Sequence, residues 1–280
     1  MKKQRGELIG GVVERVCDAP GETLGVWFSA AEGGDEATLE KLARKHPMLI
    51  HARHPLKSGS ALWLAVLWKR LDAARWLLSH GASANQKEAA ADTSPFLHAC
   101  GSGSLEMVEL LLPFADITQK GPSGATGLMM LVAQGRQLNL DRERWGRLAE
   151  RFNPEDRDGV GNSALSLAVS RGLLAAVEGL LDHLPLLARD RKAAWVSAQR
   201  RGEPEVLDTV IVHPKGEELR GEVREAIAAG EMKMADFPRL ARFLAQEEAE
   251  NLRQAMVEAL PPQGETPAND DLAPRPARRM

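Results

Sequence analysis

A helix that stops after about seven residues and restarts at once is written repeatedly into this sequence. In "TSPFLHACGSGSLEMVELLL" (93–112), Pro95 opens an apolar run, Gly101 and Gly103 break it, and a second apolar run begins at Leu105. With Ser94 as landmark and Gly103 nine positions on, the arrangement recurs at Gly25/Gly34, Ser60/Lys69, Thr126/Gly135, Ser163/Gly172, Ala193/Gly202 and, more faintly, Gly221/Gly230. The landmarks 25, 60, 94, 126, 163, 193 and 221 lie 35, 34, 32, 37, 30 and 28 residues apart. The interval of 37 has a visible cause. The second helix of that unit, "DRERWGRLAERF", starts about five residues late, and the extra residues lie near Arg136–Leu140.

A period near 33 with two short helices per unit constrains the fold strongly. Ser or Thr at the landmark caps the free N–H groups of the first helix. Pro95 sits in the first turn, where its missing N–H is no loss. The glycine ends the helix in the left-handed region without steric cost. The second helix runs back antiparallel, and "LEMVELLL" and "LAAVEGLL" each bury one face at i, i+3 and i+4. Helices this short are unstable alone, so each unit must lean on its neighbours. The composition agrees. Leu and Ala dominate an apolar fraction of 44%, aromatics make up 4%, and Tyr is absent, which favours helix.

These segments resemble ankyrin repeats. "SPFLHACGSGSLEMVELLLPFADIT" (94–118) follows most of the family pattern, and "HGASAN" (80–85) matches its end. The resemblance implies an all-α solenoid of stacked helix–turn–helix units. It divides the chain into an N-terminal segment (1–22), about six repeats (23–211), a degenerate repeat or helical cap (212–260) and a disordered tail (261–280). The N-terminal segment shows a helical period only over Leu8–Val16. The tail has five prolines and no aromatic residue, a composition that does not pack. One departure stands out. The histidine that the family carries after its leucine is replaced by Trp63, Leu97, Met129, Ser166 and Val196, so the hydrogen bonds it supplies must be replaced or lost.

Little in the sequence points to catalysis. It contains no phosphate-cradling glycine loop, nucleophile elbow or HExxH. His46, His51 and His54 fall within nine residues, but metal binding would need them to converge, and they lie in a connection between helices. Cys17 and Cys100 have no disulfide or zinc spacing, and Cys100 occupies a position the family fills with core alanine. No apolar run approaches the length of a membrane span. The net charge of −3 predicts no bulk attraction to nucleic acid. The reading is a cytoplasmic, non-enzymatic chain without cofactor, metal, membrane or small-molecule substrate.

The resemblance also implies where a partner would sit: on a concave face made of hairpin tips and the exposed ends of the first helices. Carried onto this chain, the exposed pairs are Glu32–Gly33, Leu67–Trp68, Gly101–Ser102, Ala133–Gln134, Ser170–Arg171 and Arg200–Arg201. The tips are Leu56–Gly59, Ala90–Thr93, Pro122–Ala125, Gly159–Asn162 and Arg189–Lys192. The face starts acidic, passes a large aromatic, becomes small and ends basic. Candidate partner-binding residues are therefore Leu67, Trp68, Arg171, Arg189, Arg191, Lys192, Arg200 and Arg201, with Arg suited to an acidic protein surface. Trp68 has the alternative of burial beside Trp63, and the arginines that of a solvated face. The function implied is stoichiometric protein–protein interaction. The Ala- and Arg-rich style points to a bacterial or phage source, where an immunity protein neutralising a toxin is the alternative. A regulatory or nucleic-acid-binding subunit using the C-terminal arginines is a second.

Overall fold

The computed structural model describes residues 8–9, 12–13, 19–54, 59–88, 91–153, 155–201 and 204–259, without the side chains of 8–9, 12–13, 197–201 and 256–259. Cys17 and the tail expected over 261–280 lie outside the described residues. After a two-residue antiparallel ladder, β1 (Leu8–Ile9) with β2 (Val12–Val13), the described chain is helical. Helices pair in sequence: α1 (Gly21–Gly33) with α2 (Glu36–Lys45), α3 (Ala61–Leu67) with α4 (Leu71–Ser79), and α5 (Pro95–Ser102) with α6 (Leu105–Leu111). There follow α7 (Gly127–Ala133), a single turn α8 (Gly135–Leu138) and α9 (Arg142–Ala149). Next come α10 (Ala164–Ser170) with α11 (Leu174–His183), and α12 (Ala188–Arg201) with α13 (Pro204–Val212). Helices α14 (Glu217–Ala228) and α15 (Pro238–Ala259) close the described chain.

First helices pack on first helices in the order α1, α3, α5, α7, α10, α12, and second helices form a parallel row behind them. This is the all-α solenoid expected from the repeat. Its core is one continuous seam of small and aliphatic side chains between the two rows, from Trp27 to Leu240. Cys100 is fully buried there, and burial pushes its thiol far above the ordinary range. The stack is also stitched through polar groups one unit apart. Arg70 Nε donates to Glu32 O at 2.8 Å, Gln134 Nε2 to Gly101 O at 2.9 Å, and Arg171 Nη1 to Ala133 O at 2.9 Å. In the loops, Asn85 accepts from Asp116 N and donates to Phe114 O, while Lys87 Nζ reaches Lys120 O and Lys120 Nζ reaches Arg157 O.

The caps explain why each first helix starts where it does. Ser60, Ser94 and Ser163 accept from the N–H groups of Trp63, Leu97 and Ser166. In the last case Ser166 returns the bond through its own hydroxyl, making a capping box. There the hydroxyl supplies a bond at the position where the family carries histidine. Thr126 makes no such side-chain bond. Gly34, Gly103 and Gly172 end their helices at φ between 66° and 83°, and Lys69 adopts φ 55° where the glycine is missing.

The structure corrects three expectations. Leu8–Ile9 and Val12–Val13 pair as strands and belong to no helix; two apolar dipeptides around Gly10–Gly11 carry the hairpin signal that a helical period overlooks. Gly135 does not terminate α7. It starts the extra turn α8, and Asn139 at φ 43° performs the left-handed reversal. Finally, Arg189, Arg191 and Lys192 are not a hairpin tip but lie within the first turns of α12. Nothing in "LARDRKAAW" breaks a helix, and Asp190 starts it early. The buried Asp190 carboxylate accepts from Leu187 N–H at 2.9 Å and from the Ser163 hydroxyl at 2.6 Å. It thus caps its own helix while tying it to α10.

Candidate protein-binding face

The ends of the first helices and the loop tips present two separate patches. The N-terminal one is Leu67 and Trp68, 37% and 52% exposed. They lie at the end of α3, where the chain turns over Lys69. The structure thus leaves Trp68 largely open, while Trp63 is half-buried, its ring 5.6 Å from that of His98. Beyond Trp68 the equivalent positions of the next units are Gly101, Ser102, Ala133 and Gln134, so the large indole is followed by smaller residues, with the Gln134 amide turned onto Gly101 O.

The second patch combines the start of α12 with the tip of the loop before α10. Arg189 and Lys192 are exposed. A Cβ placed on Gly161 would come within 2.9 Å of Arg189 Nη1, so this guanidinium lies against the loop tip. At that tip Val160 is 73% exposed. The tip is held firmly. Asp158 accepts from the N–H groups of Val160 and Asn162 and from the Asn162 amide. Partial burial works against ionisation of Asp158, but these bonds outweigh it and hold the carboxyl below its usual range. Gly161 completes the turn at φ 84°.

The other candidates divide. Arg191 leaves the patch: it is an intermediate residue whose guanidinium pairs with Glu218 of α14 at 2.7 Å. Arg171 is exposed, but it is part of the stitching through Ala133 O, and its own carbonyl accepts from Arg136. Arg200 and Arg201 end α12, and their side chains lie outside the described ones. Arg200 falls eleven residues after Arg189, about three turns on along α12. Of the tips, residues 55–58 and 89–90 are outside the described residues. Val160 was not singled out in the sequence, although its signal, an aliphatic residue between two glycines in "DGVGN", was legible.

Among the described residues no group of three or more His, Cys, Asp or Glu is placed to hold a metal ion; the His54 ring packs 4.9 Å from that of Phe28. No described helix is long and apolar enough to cross a membrane. Beside the first patch, burial holds the His98 imidazole below its ordinary pKa. The folded state therefore resists a proton that the unfolded chain takes up below about pH 6.5. Stability should be full above that value and fall as pH drops through it. Calorimetry at about pH 7.5 and about pH 5.5 should show a fall in Tm that becomes smaller in His98→Leu.

Comparison with known proteins agrees with this architecture. Residues 26–121 match the family model for ankyrin repeats, in three copies. The "Ankyrin repeat and KH domain-containing protein mask-1" of Caenorhabditis elegans is 30% identical over 166 residues, covering 57% of this chain. The match takes in 6% of that protein's own length. Ankyrin repeats are generally protein–protein interaction modules. Residues 26–121 thus match ankyrin repeats, and the helix pairs that follow them stack in the same way.

Proposed function

We propose that the protein binds another protein stoichiometrically, without catalysis, across the face formed by its first-helix ends and loop tips. The observation that carries this reading is Trp68. An indole contributes most when a partner buries it, and among the described residues nothing covers its open half. A partner segment laid along the small residues Gly101, Ser102 and Ala133 would meet Trp68 and Leu67 at one end. At the other it would meet Val160, Arg189 and Lys192, with Arg200 in register. The basic end favours a partner with an acidic surface there, and rim arginines act mainly on association rate and salt dependence.

Trp68→Ala should leave the melting temperature nearly unchanged, since the side chain is half open, but weaken partner binding by about 2 kcal/mol. Arg189→Glu with Lys192→Glu should reduce capture at low salt more than at high salt. Affinity purification from the source cells, with quantitative mass spectrometry of wild type and both variants, checks this. Recovery of the same partners in equal amount by all three would discard this face as the binding surface.

A further inference from the structure

The row of second helices is thinly packed from α2 to α6 and thinnest between α6 and α9. Helices α9, α11 and α13 pack directly on one another, whereas α6 and α9 approach only sparsely. The extra turn α8 precedes α9, and between α6 and α9 lies a cleft of about 370 Å³. Leu105, Leu112 and Leu148 line it and remain half-buried. One wall carries Arg144, Arg147 and Arg151; Glu109 stands among the lining residues contributed by α6.

The arginines are spaced three and four residues apart: Arg144 and Arg147 lie on α9, and Arg151 follows in the turn just beyond its last residue, Ala149. Among the described residues neither Arg144 nor Arg151 has a carboxylate within ion-pair distance, and Arg147 has only a loose, exposed contact with Glu143 at 3.7 Å. An apolar floor beside three arginines, two without an ion pair among the described residues and one with only a loose one, is complementary to one kind of ligand. That ligand has aliphatic side chains on one edge and carboxylates at the same spacing beside them.

We propose that the α6–α9 cleft docks an acidic amphipathic helix of a partner protein, leucine-type side chains entering between Leu105, Leu112 and Leu148 and carboxylates meeting Arg144, Arg147 and Arg151. This is a helix-in-groove mode. It lies on the second-helix row, away from Trp68, so it is independent of the face described above.

The test uses the full chain and a fluorescein-labelled helical peptide of Leu, Ala and Glu, with leucines at i, i+3, i+4 and i+7 and glutamates flanking them. Fluorescence anisotropy should show saturable binding. Affinity should fall at least about tenfold in Arg144→Glu/Arg151→Glu and for the same peptide with Lys in place of Glu. Pairing the reversed variant with the Lys peptide should recover it, and Trp68→Ala should change nothing. Arg144→Gln/Arg151→Gln serves as a milder second variant, expected to fall in between. Equal binding of a scrambled peptide, indifference to charge reversal, or no saturable binding would overturn the proposal. So would stoichiometric uptake of laurate without peptide binding, which would make the cleft a site for small anionic amphiphiles.

Discussion

Gly179→Ala should cost about 3 kcal/mol of stability, although alanine is the better helix former by ~1 kcal/mol. Gly179 lies where α11 crosses α9. A Cβ there would come within 2.3 Å of Arg142 O, 2.7 Å of Trp145 Cβ and 2.9 Å of Gly146 N. Two of these three atoms are backbone, and Trp145 is buried, so none can swing aside and the helices must separate. In a solenoid that interface is a nearest-neighbour coupling. Its loss should split urea denaturation into two steps, with the units C-terminal to α9 unfolding first. Gly146→Ala, across the same crossing, should cost only about 1 kcal/mol. Its Cβ would meet chiefly the His183 ring, at 2.9 Å, and His183 is an exposed side chain that can move. Similar urea curves for the two variants would refute this account of the crossing.

Asp208→Ala should cost nearly as much, about 3 kcal/mol, and should act on a helix that does not contain the residue. The buried Asp208 carboxylate, on α13, accepts from Arg239 N–H at 2.8 Å and from Leu240 N–H at 2.9 Å. These are the second and third residues of α15, whose N-terminus would otherwise hold unpaired donors. The negative charge also faces the positive end of that helix. Alanine removes both acceptors and leaves a buried N–H without a partner. Asp208→Asn, which retains one carbonyl oxygen, should lose about half as much. Hydrogen exchange gives the decisive reading: in Asp208→Ala the amides of 239–244 should lose protection before those of α13. Uniform loss across both helices would mean that Asp208 only supports α13.

The two predictions mark where sequence and structure part. Ser60, Ser94 and Ser163, each with a reversal nine positions later, disclosed the helix pairs because a cap and a left-handed turn are local devices. Their partners lie within one turn of the chain. The glycine at position 103 and the serine at position 94 therefore mean the same thing in the sequence as in the fold. Trp68 was only half legible: its place in the repeat implied exposure, burial beside Trp63 remained open, and the structure leaves it 52% exposed. Arg191 was not. It sits beside Arg189 and Lys192 in sequence, but helix geometry turns it towards α14, where Glu218 takes its charge. The early start of α12 also escaped the sequence reading, because Asp190 acts as a cap through Ser163, 27 residues away.

The sequence by itself determined that this chain is a row of helix pairs and, at the serine-capped units, where each first helix begins and reverses, because those choices are made within a few residues by propensity, capping and period. Only the tertiary structure decided how closely neighbouring pairs approach, as at Gly179, which helix a distant carboxylate caps, as at Asp208, and which arginines have no carboxylate within ion-pair distance among the described residues. These depend on groups brought together from separate units, and no spacing along the chain encodes that meeting.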